Sequence, residues 1–257
     1  MGKKIYLTII WLLVLLAIIV GIGIHVMDWF SFDQNLTTSE TSGELTDTIE
    51  VEAFDSVKAE LGFVDLAIEY TSGEYKVSYE ASAEKYVPTI TVNDGTLLLS
   101  QKSFKVSDGI GTKDKTLAIT IYVPENTEFK ELDLEVGASD VNLENVVAQS
   151  LDVDSGAGNI TLKGGAVSDL SMDVGAGDVD VIGIAFDSMD LDAGAGDVNI
   201  SGIGDVSQYS FDIDMGIGDL TIDGKKQSGL GSEYKTTGST NKKIEIDGGA
   251  GNIVVSE

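Results

Sequence analysis

The sequence has 257 residues, enough for one large domain or two small ones, and 42% of them are hydrophobic, so the chain can bury a core. The formal net charge is -27, which excludes nucleic acid as a partner, disfavours docking on an anionic lipid surface, and favours cationic partners or divalent metals. The chain has no cysteine, which excludes disulfides, thiolate metal sites and cysteine nucleophiles.

The first predicted element is a transmembrane anchor over residues 5–27, which are almost wholly apolar. A helix of this length, at about 1.5 Å per residue, crosses a hydrocarbon layer of about 30 Å. A cleaved signal peptide is the weaker alternative, because such signals have a shorter apolar core and end at an A-x-A-like site. Lys3 and Lys4 precede the span and Asp28 follows it. The positive-inside rule therefore predicts a cytoplasmic stub, residues 1–4, and a single-pass protein of the cell membrane whose C-terminal part is extracellular.

A stalk is predicted over residues 28–48, because this segment becomes polar and rich in Ser and Thr after its first few residues. Residues 49–131 follow with irregular β segments, which we interpret as the opening and cap of a β structure. The segments are residues 76–80, 89–92, 96–100 and 116–123. Asn93, Asp94 and Gly95 stand between two of these segments and predict a hairpin turn.

A repeat over residues 132–257 is the strongest signal in the sequence. Each unit alternates apolar and polar residues, passes a glycine turn and an Asp or Asn, and alternates again, as in LDVDSGAGNITL from Leu151. The first turn glycines are spaced by 19, 19, 19, 22 and 33 residues; they are Gly137, Gly156, Gly175, Gly194, Gly216 and Gly249. We expect these glycines to turn the chain through positive φ. A looser relative of the unit starts at Leu61.

The constant period, without helical segments, predicts an all-β fold: a single-strand-stack β-solenoid, similar to a parallel β-helix, with GAG(D/N) turns and one rung per repeat. A β-sandwich or meander is the rival architecture, because hairpins at similar spacing would show the same alternation. The long final spacing, residues 224–243, predicts a polar loop or hairpin that bulges from the stack.

Two sets of polar residues recur at equivalent positions of the repeat. The set after the turn has a structural interpretation, in which Asx side chains accept hydrogen bonds from turn amides; it comprises Asp140, Asn159, Asp178, Asp197, Asp219 and Asn252. The set before the turn is a solvated acidic face or, as a weaker alternative, a calcium site; the candidate ligands are Asp154, Asp173, Asp192 and Asp214, with Asp247 at the same position. Between Leu132 and Ile222 there are 18 acidic residues and one lysine, a net charge of -17.

No catalytic residues and no cofactor are predicted. The only histidine, His25, lies in the apolar span, so that no Ser-His-Asp triad is available. The recurring acids are equivalent to one another, whereas a glycosidase needs two carboxylates in different environments. The GxG steps are followed by no helix and therefore predict no phosphate-binding loop.

The string IYVPENTEFKELDLEVGASDVNL from Ile121, followed by GAGNITL, GAGDVDV and GAGDVNI, resembles the DUF4097 family of candidate adhesins. Within that family the likeness is to membrane-anchored, LiaG-like members of Gram-positive bacteria. It covers residues from the mid-50s to the C-terminus. The resemblance implies a β-solenoid-like fold, no enzymatic activity and a connection with cell-envelope stress.

The function expected from the sequence is that of a non-enzymatic cell-envelope protein. Its acidic extracellular domain would bind cationic ligands, such as cationic peptides, or other envelope proteins. An adhesin-like surface-binding module is the alternative, and an enzyme acting on wall polysaccharide is less favoured.

Overall fold

The computed structural model describes residues 45–101 and 117–257, and its regular elements there are β-strands and two single-turn 3-10 helices. The helices are Glu84–Tyr86 and Val206–Gln208. The strands are β1 Leu45–Glu50, β2 Ser56–Thr71, β3 Lys76–Ala81, β4 Thr89–Asn93, β5 Thr96–Ser100, β6 Leu117–Pro124, β7 Phe129–Glu144, β8 Val147–Ala157, β9 Ile160–Lys163, β10 Ala166–Ala176, β11 Val179–Ile182, β12 Ala185–Ala195, β13 Val198–Ser201, β14 Tyr209–Ile222, β15 Lys225–Thr236, β16 Lys242–Ala250 and β17 Ile253–Val255.

The predicted anchor, residues 5–27, lies outside the described residues, as do residues 28–44 of the predicted stalk. Within residues 45–101 and 117–257, no helix has the length and apolarity that a membrane crossing needs. The stalk prediction extends too far at its C-terminal end, because Leu45–Glu50 forms β1 and pairs antiparallel with β3.

The rungs are built from strands whose side chains alternate between the core and solvent. In β8, Leu151 and Val153 are buried whereas Asp152 and Asp154 are exposed, as the period of two predicts. The strand pairs parallel with the next rung, so that Leu151 lies opposite Leu170. The same parallel pairing continues from β9 to β11 and from β11 to β13. The solenoid-like stack predicted from the period is thus observed, and the sandwich alternative is wrong.

The core is a set of parallel columns inside this stack, each with one residue per rung. One column runs through Leu134, Val153, Met172 and Leu191, which are at most 2% exposed. Burying a side chain of this size stabilises the fold by roughly 1.5–3 kcal/mol. Stacking equivalent rungs therefore supplies the stability that a cysteine-free chain cannot obtain from disulfides.

The first turn glycines do not have the positive φ that the sequence predicted. They are required because the neighbouring rung approaches closely: a Cβ on Gly156 would lie 2.5 Å from the carbonyl oxygen of Gly137. The positive φ belongs to the second glycine of the turn, for example +150° at Gly177. A Cβ on Gly177 would lie 1.8 Å from the carbonyl oxygen of Gly158. Each GAG turn thus needs its two glycines for different physical reasons.

The order of the rungs at the C-terminal end differs from the order of the repeats in the sequence. β12 pairs with β16, and β16 pairs with β14, so the last repeat lies between the fourth and the fifth. β15 then pairs antiparallel with β14, the one described strand with which it shares a register. The segment predicted to bulge from the stack contains this hairpin strand, but the strand continues the stack and forms its end.

Residues 49–131, predicted as an irregular opening and cap, form a more regular structure than expected. β2 pairs parallel with β7 from Ser56 to Ile68 and therefore forms a complete rung before the first strict repeat. β5 and β6 pair with the two halves of β2, and β4 and β3 pair with them in turn as a cap. The predicted hairpin between β4 and β5 is confirmed, with φ of 49° at Asp94 and 79° at Gly95.

Candidate functional site

The most regular chemical feature of the surface is a row of eight exposed carboxylates, here called the carboxylate column. Seven parallel strands each contribute one member just before their bend, and the antiparallel β15 contributes one after its bend; the registers place all eight opposite one another. In stack order they are Glu60, Glu135, Asp154, Asp173, Asp192, Asp247, Asp214 and Glu233. Because neighbouring strands lie about 4.8 Å apart, the column extends for roughly 34 Å.

A second row runs beside the carboxylate column, two residues earlier on each parallel strand and two residues later on the antiparallel β15, and is here called the mixed column. It has lysine at both ends and mostly carboxylates between them. In stack order it comprises Lys58, Asp133, Asp152, Ser171, Asp190, Glu245, Asp212 and Lys235. The two columns together place 13 carboxylates on one face of the sheet.

Each of the two terminal lysines forms ion pairs with one carboxylate of each column. The Nζ of Lys58 lies 2.5 Å from Asp133 and 3.9 Å from Glu60. The Nζ of Lys235 lies 3.2 Å from both Asp212 and Glu233. The hydrogen bond from Lys58 to Asp133 raises the pKa of this lysine above its ordinary value. The protein thus shows twice how an ammonium group fits between one carboxylate of each column.

Burial and mutual repulsion both act on the middle of the face. Partial burial raises the pKa of Asp192, and the charges of Asp247 and Asp173 raise it further. Partial burial also raises the pKa of Asp247, with a further contribution from Asp214. The same causes, burial first and then Asp133, raise the pKa of Asp152. This part of the face therefore favours any ligand that lowers its negative potential.

A groove of about 570 Å³ follows the carboxylate column at the C-terminal half of the stack. The first turn glycines form its floor, because no side chain fits there. Asp173, Asp192, Asp247, Asp214 and Glu233 line it. A smaller groove continues the line at the other end beside Glu60, Glu135 and Asp154.

The four candidate calcium ligands all lie on the carboxylate column. Asp154, Asp173 and Asp192 are consecutive, whereas Asp247 separates Asp192 from Asp214 because of the exchanged rung order. Over the two described ranges, no group of three or more His, Cys, Asp or Glu side chains converges as a metal site requires. The face is a linear array of carboxylates, and calcium binding by these four stays a prediction.

The Asx residues after the turn form a third column with a structural role. The Oδ1 of Asp140 accepts a hydrogen bond from the backbone N–H of Asn159 at 2.8 Å, and the Oδ1 of Asn159 accepts one from Asp178 at 3.1 Å. The series continues through Asp197 and Asn252 to Asp219. Each of the first five side chains in stack order therefore holds the turn of the following rung.

Sequence reasoning did not single out the mixed column or its two lysines. The acids of this column were visible as the first acid of the LDLE, LDVD and MDLD strings, two residues before the carboxylate column. Lys58 and Lys235 carried no such signal, because they lie outside the strict repeats and reach the columns only through the pairing of β2 and β15.

The fold and surface define a β-solenoid-like protein that presents a regular acidic sheet. The Toastrack DUF4097 family model matches residues 56–244. The chain belongs to this family, as the GAG(D/N) turns indicated. The matched residues include all members of both columns except Glu245 and Asp247.

Several solved structures have a similar backbone fold, but their sequence identity to this protein is low. A candidate cell adhesion protein from Clostridium sporogenes ATCC 15579 is 18% identical, with a TM-score of 0.49 over 83% of this chain and 98% of its own. A candidate adhesin from Bacteroides fragilis NCTC 9343 is 16% identical, with a TM-score of 0.48 over 84% and 98%. A candidate lipid binding protein from Parabacteroides distasonis ATCC 8503 is 16% identical, with a TM-score of 0.44 over 84% and 98%. No curated protein matches the chain.

Proposed function

We propose that this protein is a non-enzymatic component of the cell envelope that binds cationic ligands on its acidic sheet. The observation that carries this proposal is the position of Lys58 and Lys235, whose ammonium groups lie between carboxylates at the two ends of the paired columns. Between them no lysine lies in either column, and the paired carboxylates repeat on every rung except that of Ser171. Lys243, two residues before Glu245, pairs with that carboxylate from beside the columns. A ligand with several ammonium or guanidinium groups could repeat these contacts along the sheet.

The proposal includes the location that the sequence predicts. Residues 5–27 would anchor the chain in the cell membrane, and residues 45–257 would face outward, where cationic peptides and envelope proteins are encountered. A role in the response to envelope stress fits this arrangement. Protease added to intact cells should remove residues 45–257; full protection of this part would contradict the proposed orientation.

The ligand class can be tested with a cationic membrane-active peptide and a scrambled peptide of equal charge. We compare the native protein with Asp173→Asn/Asp192→Asn, which removes two charges from the carboxylate column. The matched control is Asp187→Asn/Asp223→Asn, which removes two exposed charges outside both columns. Because the net charge of the two variants is equal, any difference between them reports the geometry of the face.

We expect the column variant to bind the peptide about tenfold more weakly, and the control variant to bind it nearly as the native protein does. Binding should weaken but persist when salt shortens the screening length. Equal losses in both variants, or binding that disappears with salt for both peptides, would mean diffuse attraction to a polyanion and would contradict a specific site. Calcium added in the same titration tests whether the four predicted ligands compete with the peptide.

A further inference from the structure

The last rung of the sequence, β16 with β17, lies inside the stack and not at its end. It pairs with β12 and β13 on one side and with β14 on the other, so both of its edges are covered. Removing it would leave the edges of β12 and β14 unpaired and facing each other, an arrangement that β-proteins avoid. During synthesis β14 is also completed before this rung, so the edge of β12 is first available to β14.

The register of the two rungs allows β14 to take the place of β16. Ile246 lies opposite Leu191 on β12 and opposite Ile213 on β14. A movement of β14 by one strand spacing, about 4.8 Å, therefore places Ile213 opposite Leu191. Both strands run parallel to β12 and all three side chains are fully buried, so the movement preserves the strand direction and the inward face.

The core beside this position has space for the movement. Met215 is buried and lies opposite Gly248, which has no side chain. After the movement Met215 lies opposite Ala193, whereas the preceding rung has the larger Val174 at this position. β12 thus already carries a small residue opposite the site that the methionine would occupy.

β12 and β14 already touch each other where the last rung begins. The rings of Phe186 on β12 and Tyr209 on β14 have their centroids 5.3 Å apart. Lys242, the first residue of β16, donates a hydrogen bond from Nζ to the carbonyl oxygen of Phe186 at 2.9 Å. The same Nζ lies 5.2 Å from the centroid of the Tyr209 ring. The first contact between β12 and β14 therefore exists while the last rung is in place.

The connections on either side of β14 and β15 are compatible with the movement. Gly183 and Ile184 alone join β11 to β12 across one strand spacing, whereas residues 202–208 join β13 to β14 across two. The longer connection therefore reaches either position of β14. Residues 237–241, which lead from β15 to β16, bury no side chain and can follow the last rung when it leaves.

We infer that the chain has a second stable stacking order, in which β16 and β17 are released and β14 pairs directly with β12. Asp192 then lies opposite Asp214, so the carboxylate column remains continuous but loses Asp247. Release also frees the backbone groups of residues 242–257, which are paired on both sides in the native order. The last rung is therefore a removable insert whose presence determines the length and charge of the acidic face.

The second order can be detected with a chain that ends at residue 236 and carries cysteines at 195 and 217. These positions lie two strands apart in the native order and opposite each other in the second order. We expect the disulfide to form at least about tenfold faster in the shortened chain than in the full chain with the same cysteines. A peptide of residues 237–257, added before oxidation, should return the rate to within about threefold of the full chain.

A substitution in the full chain provides the second measurement. A Cβ on Gly249 would lie 2.2 Å from the carbonyl oxygen of Gly194, so Gly249→Ala hinders insertion of the last rung. It should accelerate the disulfide between positions 195 and 217 about tenfold. The matched control is Gly175→Ala, whose Cβ would lie 2.6 Å from the carbonyl oxygen of Gly156, in a rung that has connections at both ends. This control should not accelerate the disulfide.

Circular dichroism and urea unfolding report whether each chain is folded. A folded shortened chain that forms the disulfide rapidly, and slowly once the peptide is added, supports the inference. A shortened chain that is unfolded overturns it, because the second order is then not stable. A folded shortened chain with the slow rate of the full chain, or equal acceleration by Gly249→Ala and Gly175→Ala, also overturns it.

Discussion

The middle rungs and the C-terminal end of the stack both pair strands in parallel around a buried core, but only the middle rungs keep the constant 19-residue spacing. From β8 to β13 each rung lies 19 residues after its neighbour, and the chain order is the stack order. From β14 to β17 the spacing changes to 22 and 33 residues, and the last rung enters between the two that precede it in the sequence. A constant period thus predicts which rungs are neighbours, and a departure from the period indicates where the chain crosses over.

The exchanged order can be tested by cross-linking, because the chain has no cysteine of its own. Ala195 lies opposite Ala250, and Ala250 lies opposite Ile217, and all three are exposed. Cysteines at 195 and 250 should form a disulfide, because neighbouring strands lie about 4.8 Å apart. Cysteines at 195 and 217 are two strands apart and should not. The reverse result would restore the simple sequential order.

The two regions should also differ in how strongly they require glycine. Gly177→Ala in the middle places a Cβ 1.8 Å from the carbonyl oxygen of Gly158, so the rungs must separate. We expect a loss of at least about 4 kcal/mol in the free energy of unfolding. Gly224→Ala, in the turn before β15, has φ of +71° but no atom within 4 Å of the new Cβ. It should cost only about 1–2 kcal/mol, the penalty of the left-handed conformation.

Urea unfolding of both glycine variants gives this comparison directly. Similar losses at the two positions would mean that positive φ, rather than the close approach of the neighbouring rung, requires the glycine of the GAG turn.

The smallest effect concerns pH at the junction of the two regions, where Asp192 on β12 lies opposite Asp247 on β16. Burial and neighbouring carboxylates raise the pKa of both groups in the folded protein. The folded state therefore binds protons more tightly than the unfolded state, and stability rises as the pH falls from neutrality through the interval between the raised pKa values and the ordinary value of 3.8. Below that interval, Asp55 acts in the opposite direction, because its hydrogen bond from Lys130 lowers its pKa.

Denaturation midpoints measured between about pH 7 and pH 4 give this profile. Asp192→Asn should raise stability at neutral pH and flatten the dependence, whereas Asp187→Asn, outside the columns, should leave the slope unchanged. A native protein whose stability falls steadily on acidification would contradict the repulsion that we assign to the carboxylate column.

Local alternation and the 19-residue period were sufficient to predict the rungs and the recurrence of the Asx and acidic positions, and they favoured a solenoid without deciding that the strands pair in parallel. Leu151, Val153, Ile160 and Leu162 are inward as their spacing required. The hairpin at Asp94 and Gly95 was equally predictable, because only a few residue types tolerate that turn. These features depend on residues that are close in sequence or separated by a fixed step.

The remaining features depend on contacts that no local pattern encodes. The role of Gly156 came from the carbonyl of Gly137 in the neighbouring rung, and the mixed column acquired its terminal lysines through β2 and β15. The sequence by itself determined the acidic β-repeat, because alternation and period are properties of the chain, whereas the parallel pairing of the rungs came from the structure. Only the tertiary structure decided the order of the last rungs, the continuous carboxylate column and the open edge of β15. Each of these depends on which strands pair with one another, and those strands are far apart in the sequence.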